Sequence, residues 1–199
     1  MILALTSLAR DMALRGLKHE ADKVYRLIKI SGIPGITHPV EEVDISGTNN
    51  AIDYLRSNRG MTIYLDTPIG AKKWRVNGRK VETPFHYGEV IDIVNPSDDM
   101  GWDILLSPAA SKYEKVFKGV SYVPSGHNLL PVGYIPVNLD KDEWRRRTES
   151  EGRGKPRGPI EGNDKIILSP DGVITNEDKH EIELFFDKIW NFSKIKWLN

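Results

Sequence analysis

K-K-W-R-V-N-G-R-K-V-E-T, residues 72–83, reads as two extended runs hinged on Asn77-Gly78. Both hinge residues tolerate the positive φ of a type I′ turn, whose twist matches that of paired strands, so the stretch predicts a β-hairpin. Its neighbours carry the same period. Short apolar runs at 61–66, 89–94, 102–107, 119–123, 130–136 and 165–169 are separated by Gly/Pro turns. Strands of this length and spacing predict a small antiparallel barrel or sandwich.

Helical period holds at the two ends. Leu5, Leu8, Ala9 and Met12, then Leu17, Ala21, Val24 and Ile28, recur at three- and four-residue steps, with Gly16 dividing or bending the segment. Asp11 with Arg15, and Asp22 with Arg26, stand four apart on the polar side. This amphipathic arm either covers one side of the core or docks a protein partner through residues 1–30. The Pro/Gly stretch 33–42 reads as a linker, which divides the chain into an arm at 1–45 and a barrel domain at 46–199. A short helix near 50–57 follows. Thr175 or Asn176 caps the last helix, with Glu177 and Asp178 at its positive end and Ile182, Phe185, Phe186 and Ile189 on one apolar face.

With 199 residues the chain is long enough for one sizeable core. Its 28 Lys and Arg balance 28 Asp and Glu, so no global field points to nucleic acid. Cysteine is absent, which excludes thiolate nucleophiles and leaves oxygen or imidazole as metal ligands. No run approaches the roughly 18 apolar residues of a membrane span, and the N-terminal apolar run is too short for a signal peptide. The expected compartment is the cytoplasm, whether the product is cellular or virus-encoded. Residues 141–158 carry seven basic and four acidic side chains and almost nothing apolar. Such a loop is either solvated and mobile or a lid that grips phosphate.

Three features fall in order along the chain. A strand ending L-D-T-P is followed by K-K-W-R; H-Y-G-E-V is followed by D-D-M-G-W-D-I-L-L; P-V-G-Y-I is followed by E-G-N-D-K-I-I-L and F-F-D-K-I-W-N-F-S-K-I-K-W. In this order and spacing the chain, over roughly residues 61–197, resembles the soluble inorganic pyrophosphatases. The resemblance implies an α+β, mainly β fold: a small OB-like antiparallel β-barrel with the C-terminal helix packed on it, the N-terminal helical arm outside it, and an Arg-rich insertion at 141–158. It implies hydrolysis of diphosphate with Mg2+, a small phosphorylated substrate and a homo-oligomer, with neither membrane nor nucleic acid as partner.

Carried over by position, the resemblance assigns metal binding to Asp98, Asp103, Asp140 and Asp164. Asp164 stands one residue out of register, the in-register position being Asn163. Phosphate contacts fall to Lys73, Tyr87 and Lys165, with Arg75 a further phosphate ligand by its own bidentate chemistry, and Asp66 stands where the family has a glutamate near the first strand's end. His86 replaces the asparagine of the family's N-Y-G. The carboxylate that activates water falls on Met100, so that role passes to Asp99 or Asp98, with Tyr87 beside it. Further departures are Arg75 in place of a glutamate and Ile189-Trp190 in place of a Tyr-Lys pair.

Diphosphate hydrolysis demands neutralisation of a polyanion and an activated water, and clustered divalent ions meet both needs. Magnesium takes oxygen ligands and retains waters, so a few carboxylates from different strands suffice. Lysines and an arginine would hold phosphate oxygens, and a tyrosine hydroxyl would donate to another. The leading expectation is therefore an inorganic diphosphatase-like hydrolase. From Met100, Arg75, Ile189 and Trp190 comes the alternative, a catalytically degenerate barrel serving assembly or ligand binding.

Overall fold

The computed structural model describes residues 2–31, 33, 43–58, 61–72, 74–76, 79–96, 100–136, 164–189 and 195–198. Helices α1 (Ile2–Leu14) and α2 (Lys18–Ile30) precede strand β1 (Val43–Asp44) and helix α3 (Thr48–Ser57). Strands β2 (Ile63–Thr67), β3 (Trp74–Val76), β4 (Arg79–Val81), β5 (His86–Asn95) and β6 (Met100–Leu106) follow. A 3-10 helix at Pro108–Tyr113 then leads to β7 (Lys115–Phe117), β8 (Val120–Val123), β9 (Leu129–Ile135) and β10 (Lys165–Pro170). Helix α4 (Asn176–Ile189) and β11 (Lys196–Trp197) end the chain. No helix among the described residues is long and apolar enough to cross a membrane.

The hairpin predicted at 72–83 forms, with Trp74 opposite Val81 and Val76 opposite Arg79 around the two turn positions. It stands as a two-stranded sheet of its own. The remaining strands build one nine-stranded sheet in the order β11-β9-β10-β6-β5-β2-β8-β7. On the edge of β5 that β2 leaves beyond Val90, β1 pairs with Ile93 and Val94. The chain is thus a mixed α/β protein on a large sheet, and backbone pairing does not close that sheet among the described residues.

The sheet departs from the expected antiparallel arrangement at two pairs, β1 with β5 and β10 with β6, which run parallel. Parallel neighbours require a crossover, and the chain leaves β6 and travels through β7, β8 and β9 before β10 returns beside it. β6 and β10 are buried on both faces, as their near-continuous apolar runs require. On one face Trp102, Ile104 and Leu106 of β6 join Ile166 and Leu168 of β10, Ile63 and Leu65 of β2, and Ala51, Ile52 and Leu55 of α3 in a common cluster. On the other, Leu105, Ile167, Val132 and Ile135 lie under Ile182, Phe185 and Phe186 of α4. Phe85 meets both phenylalanines, edge-on to Phe185 with centroids 4.9 Å apart and stacked on Phe186 at 5.4 Å.

Sequence signals account for the helix ends. Thr175 Oγ1 accepts the Asp178 amide at 3.0 Å, an N-cap that satisfies one of the first-turn donors. Gly16, at φ 83°, separates α1 from α2. Ala9 and Ala21 are buried, whereas Leu8, Leu14, Leu17 and Leu27 remain exposed. Asp11 pairs with Arg15 at 2.9 Å on the surface, as the i,i+4 spacing predicts. Arg26 does not behave as a polar-face residue: it is 8% exposed and turned into the sheet. Ile33, at the start of the predicted linker, is buried with Tyr64, Ile91 and Tyr122.

Candidate functional site

Strand period places Tyr87 and Glu89 on one face of β5, Asp103 and Leu105 on the same face of β6, and Lys165 and Ile167 on that face of β10. This is the face that α4 covers, since Leu105 and Ile167 belong to its cluster and Tyr87 packs against it. Glu89 stands opposite Asp103 across the antiparallel β5–β6 pair. Lys165 Nζ donates to Asp103 Oδ2 across the parallel β6–β10 pair. Three adjacent strands therefore carry a row of charges, Glu89, Asp103 and Lys165, beside the apolar cluster under α4.

A fourth charge completes the row. Arg26 of α2 donates from Nε to Glu89 Oε1 at 2.7 Å and from Nη2 to the Ile91 carbonyl at 3.3 Å. The second carboxylate oxygen of Glu89 accepts the Gly101 amide at 3.1 Å. These bonds sit where the β5–β6 register slips: between Glu89 and Val94 on β5, the partner strand advances only from Asp103 to Gly101. Irregular pairing of this kind leaves backbone groups off the ladder, and Glu89 and Arg26 supply partners for two of them. Gly101 is required here, because a Cβ on it would lie 2.4 Å from Glu89 Oε2 and 2.7 Å from the Val90 carbonyl.

The row is buried unevenly. Glu89 and Lys165 are nearly closed off, while a quarter of the Asp103 side chain is open to solvent. Burial raises the Glu89 pKa above its ordinary 4.5, with Arg26 pulling it back and the Asp103 charge adding to the rise. Among the described residues the four charges run plus-minus-minus-plus along the row and sum to zero. An anionic ligand at the Asp103 opening would meet Lys165, and a cation would meet two carboxylates.

Asp164 turns elsewhere. Its Oδ2 accepts Thr48 Oγ1 at 2.8 Å, at the first residue of α3. Since the α3 N-cap is Gly47, which offers no side-chain cap, Asp164 places a carboxylate near the helix's positive end from a remote part of the chain. His86 is fully buried, with Nδ1 accepting the Ile69 amide at 3.1 Å and Nε2 3.8 Å from Glu114 Oε2. Burial holds its pKa below 6.5, against the opposing pull of Glu114.

Of the residues singled out in the sequence, the structure brings Asp103 and Lys165 into contact and sets Tyr87 on their face. Asp66, exposed in the otherwise buried strand β2, has Oδ2 3.4 Å from Thr67 Oγ1. Arg75 is paired with Lys80 in the hairpin backbone. Asp98, Asp99, Asp140, Asn163, Lys73 and Trp190 lie outside the described residues, as does the 141–158 loop, and the side chains of Arg75 and Ile189 do too. Among the described residues no group of three or more His, Asp or Glu side chains could hold a metal ion. Sequence reasoning missed Glu89 and Arg26. The signal for Glu89 was present: a glutamate at 89 in V-I-D-I-V company, inside a strand that is otherwise nearly all buried. No family model, curated protein or solved structure matches the chain.

Proposed function

We propose that the chain is a divergent pyrophosphatase-like hydrolase built on an OB-type barrel, cleaving a phosphoanhydride with Mg2+ at the face of β5, β6 and β10. The observation that carries the reading is the meeting of Asp103, from the acidic turn, with Lys165, from E-G-N-D-K, on the face shared by Tyr87. Strand order supports the barrel. The five central strands, β2, β5, β6, β9 and β10 in chain order, lie as first-second-third-fifth-fourth with the third and fifth parallel, the order of an OB barrel left partly open.

The donors that Glu89 and Asp103 offer are oxygens, which suit Mg2+ by chemistry. Asp98, Asp99 and Asp140 would complete the number, and Asp164 serves α3 in this arrangement. A bound divalent ion would supply positive charge against the polyanion. Asp103 would hold that ion, Lys165 with Lys73 and Arg75 would bind phosphate oxygens, Tyr87 would donate a hydrogen bond to another, and Asp99 or Asp98 would orient water. Diphosphate is the first substrate and a nucleotide-linked phosphoanhydride the second.

One observation favours the catalytically degenerate reading. Asp103 is neutralised by Lys165 and Glu89 by Arg26, as in structural ion pairs. Release of inorganic phosphate by the purified chain with Mg2+, from diphosphate and from nucleoside triphosphates, separates the two. Turnover supports the hydrolase, and none from either substrate leaves the degenerate barrel.

A further inference from the structure

We infer that Arg26 is a positioning residue for the Asp103–Lys165 site, so that helix α2 is a working part of that site and not merely a cover; what the site does rests on the reading above. Three links lead from α2 to Asp103. Arg26 bonds both Glu89 Oε1 and the Ile91 carbonyl, two positions on either side of a residue in β5 where the ladder to β6 is irregular. Glu89 passes the constraint to β6 by accepting the Gly101 amide. Gly101 and Asp103 are two apart on one strand and share a face. The missing side chain at Gly101 admits the whole arrangement, since a Cβ there would also come within 3.1 Å of Arg26 Nη2.

The charge order explains why the link needs an arginine. Glu89 faces Asp103, and two carboxylates on one buried face repel unless each has its own cation. Lys165 serves Asp103 from β10, and Arg26 serves Glu89 from a helix 63 residues away in sequence. Withdrawal of α2 would leave the Glu89 charge without its partner beside Asp103. Loss of the arm is thereby transmitted to the site along β6.

The test reads amide exchange of Gly101 and of the β6 residues after it in Arg26→Gln, Arg26→Ala and Glu89→Gln. A charge-assisted bond fixes this segment, so its removal in Arg26→Gln raises Gly101 exchange about tenfold or more beyond the change that lower global stability gives at β8 and β9 amides. Methylguanidinium restores protection in Arg26→Ala, and sodium chloride at equal ionic strength does not. Glu89→Gln, which keeps the shape, gives the same local rise and serves if an Arg26 variant fails to fold. In an active chain, Arg26→Gln lowers kcat with little change in KM. Gly101 exchange unchanged in both Arg26→Gln and Glu89→Gln, or rescue by any salt, overturns the inference. Absence of turnover in the wild-type chain would instead retire the hydrolase reading and leave the exchange result to decide this one.

Discussion

Asp103 and Lys165, 62 residues apart in the chain, meet side chain to side chain across the parallel β6–β10 pair. The contact depends on a crossover that returns β10 beside β6 in the same direction, with Ile166 in register with Ile104. Lys165 is nearly buried and Asp103 is partly open, so the pair sits at the boundary between the sheet interior and solvent.

Removal of one partner takes the opposite charge from the other. Lys165→Met should cost less stability than Asp103→Ala, because the Asp103 carboxylate is a quarter open to water whereas the Lys165 ammonium is nearly buried. Losses of about 1–2 and about 2–4 kcal/mol are expected in urea unfolding at constant m.

Arg26 and Glu89 form the more buried pair, and Arg26→Ala should cost about 3–5 kcal/mol, since it strands a carboxylate and the Ile91 carbonyl. Glu89→Gln retains an oxygen acceptor for the Gly101 amide and should cost about 1–2 kcal/mol. The ratio of the two losses is the check, measured as the shift in denaturation midpoint.

Gly88 lies where β5 crosses β2 closely: a Cβ on it would stand 1.9 Å from the Tyr64 carbonyl oxygen and 2.9 Å from its carbon. These are backbone atoms in a paired strand and have nowhere to go. Gly88→Ala should lose at least about 3 kcal/mol, or fail to give folded protein, as read by near-UV circular dichroism.

Much of the fold was legible in short-range chemistry. Asn77-Gly78 predicted the 74–81 hairpin, and Thr175 predicted the start of α4, because each signal depends on residues within a few positions. Lys118-Gly119, by contrast, turns β7 into β8 with positive φ at both residues, and lysine gives no warning of that conformation. Arg26 shows why the site was less legible. Its spacing from Asp22 placed it on the polar side of the helix, whereas it is buried against Glu89, a partner from another element that only tertiary packing brings near. Asp164 and Lys165 are adjacent in sequence and appeared as one cluster, yet one serves α3 and the other Asp103, as alternation along an extended chain allows.

His86 contributes to the acid side of stability. Its folded pKa is depressed below 6.5 by burial, so the unfolded chain takes up the proton first. The stability it contributes is present above 6.5 and is lost as pH falls through the folded value. Glu89 acts with the opposite sign: its folded pKa is raised above 4.5, so its contribution is present below 4.5 and is lost as pH rises through the folded value. Urea midpoints against pH should fall less steeply below 6.5 in His86→Gln than in the wild type, and Glu89→Gln should remove the loss that develops above 4.5. Equal slopes in wild type and His86→Gln would show that His86 is not the buried titrating group.

Whether Asp103 and Lys165 serve a phosphoanhydride-cleaving site is decided by phosphate release from diphosphate with Mg2+, compared between wild type and Asp103→Asn. Each protein should be shown folded by circular dichroism. Mg2+-dependent release by the wild type is expected, with a fall of about a hundredfold or more in the variant, the scale of losing a charge-stabilising group at a reacting centre. No release by the folded wild type, or equal release by Asp103→Asn, would contradict it.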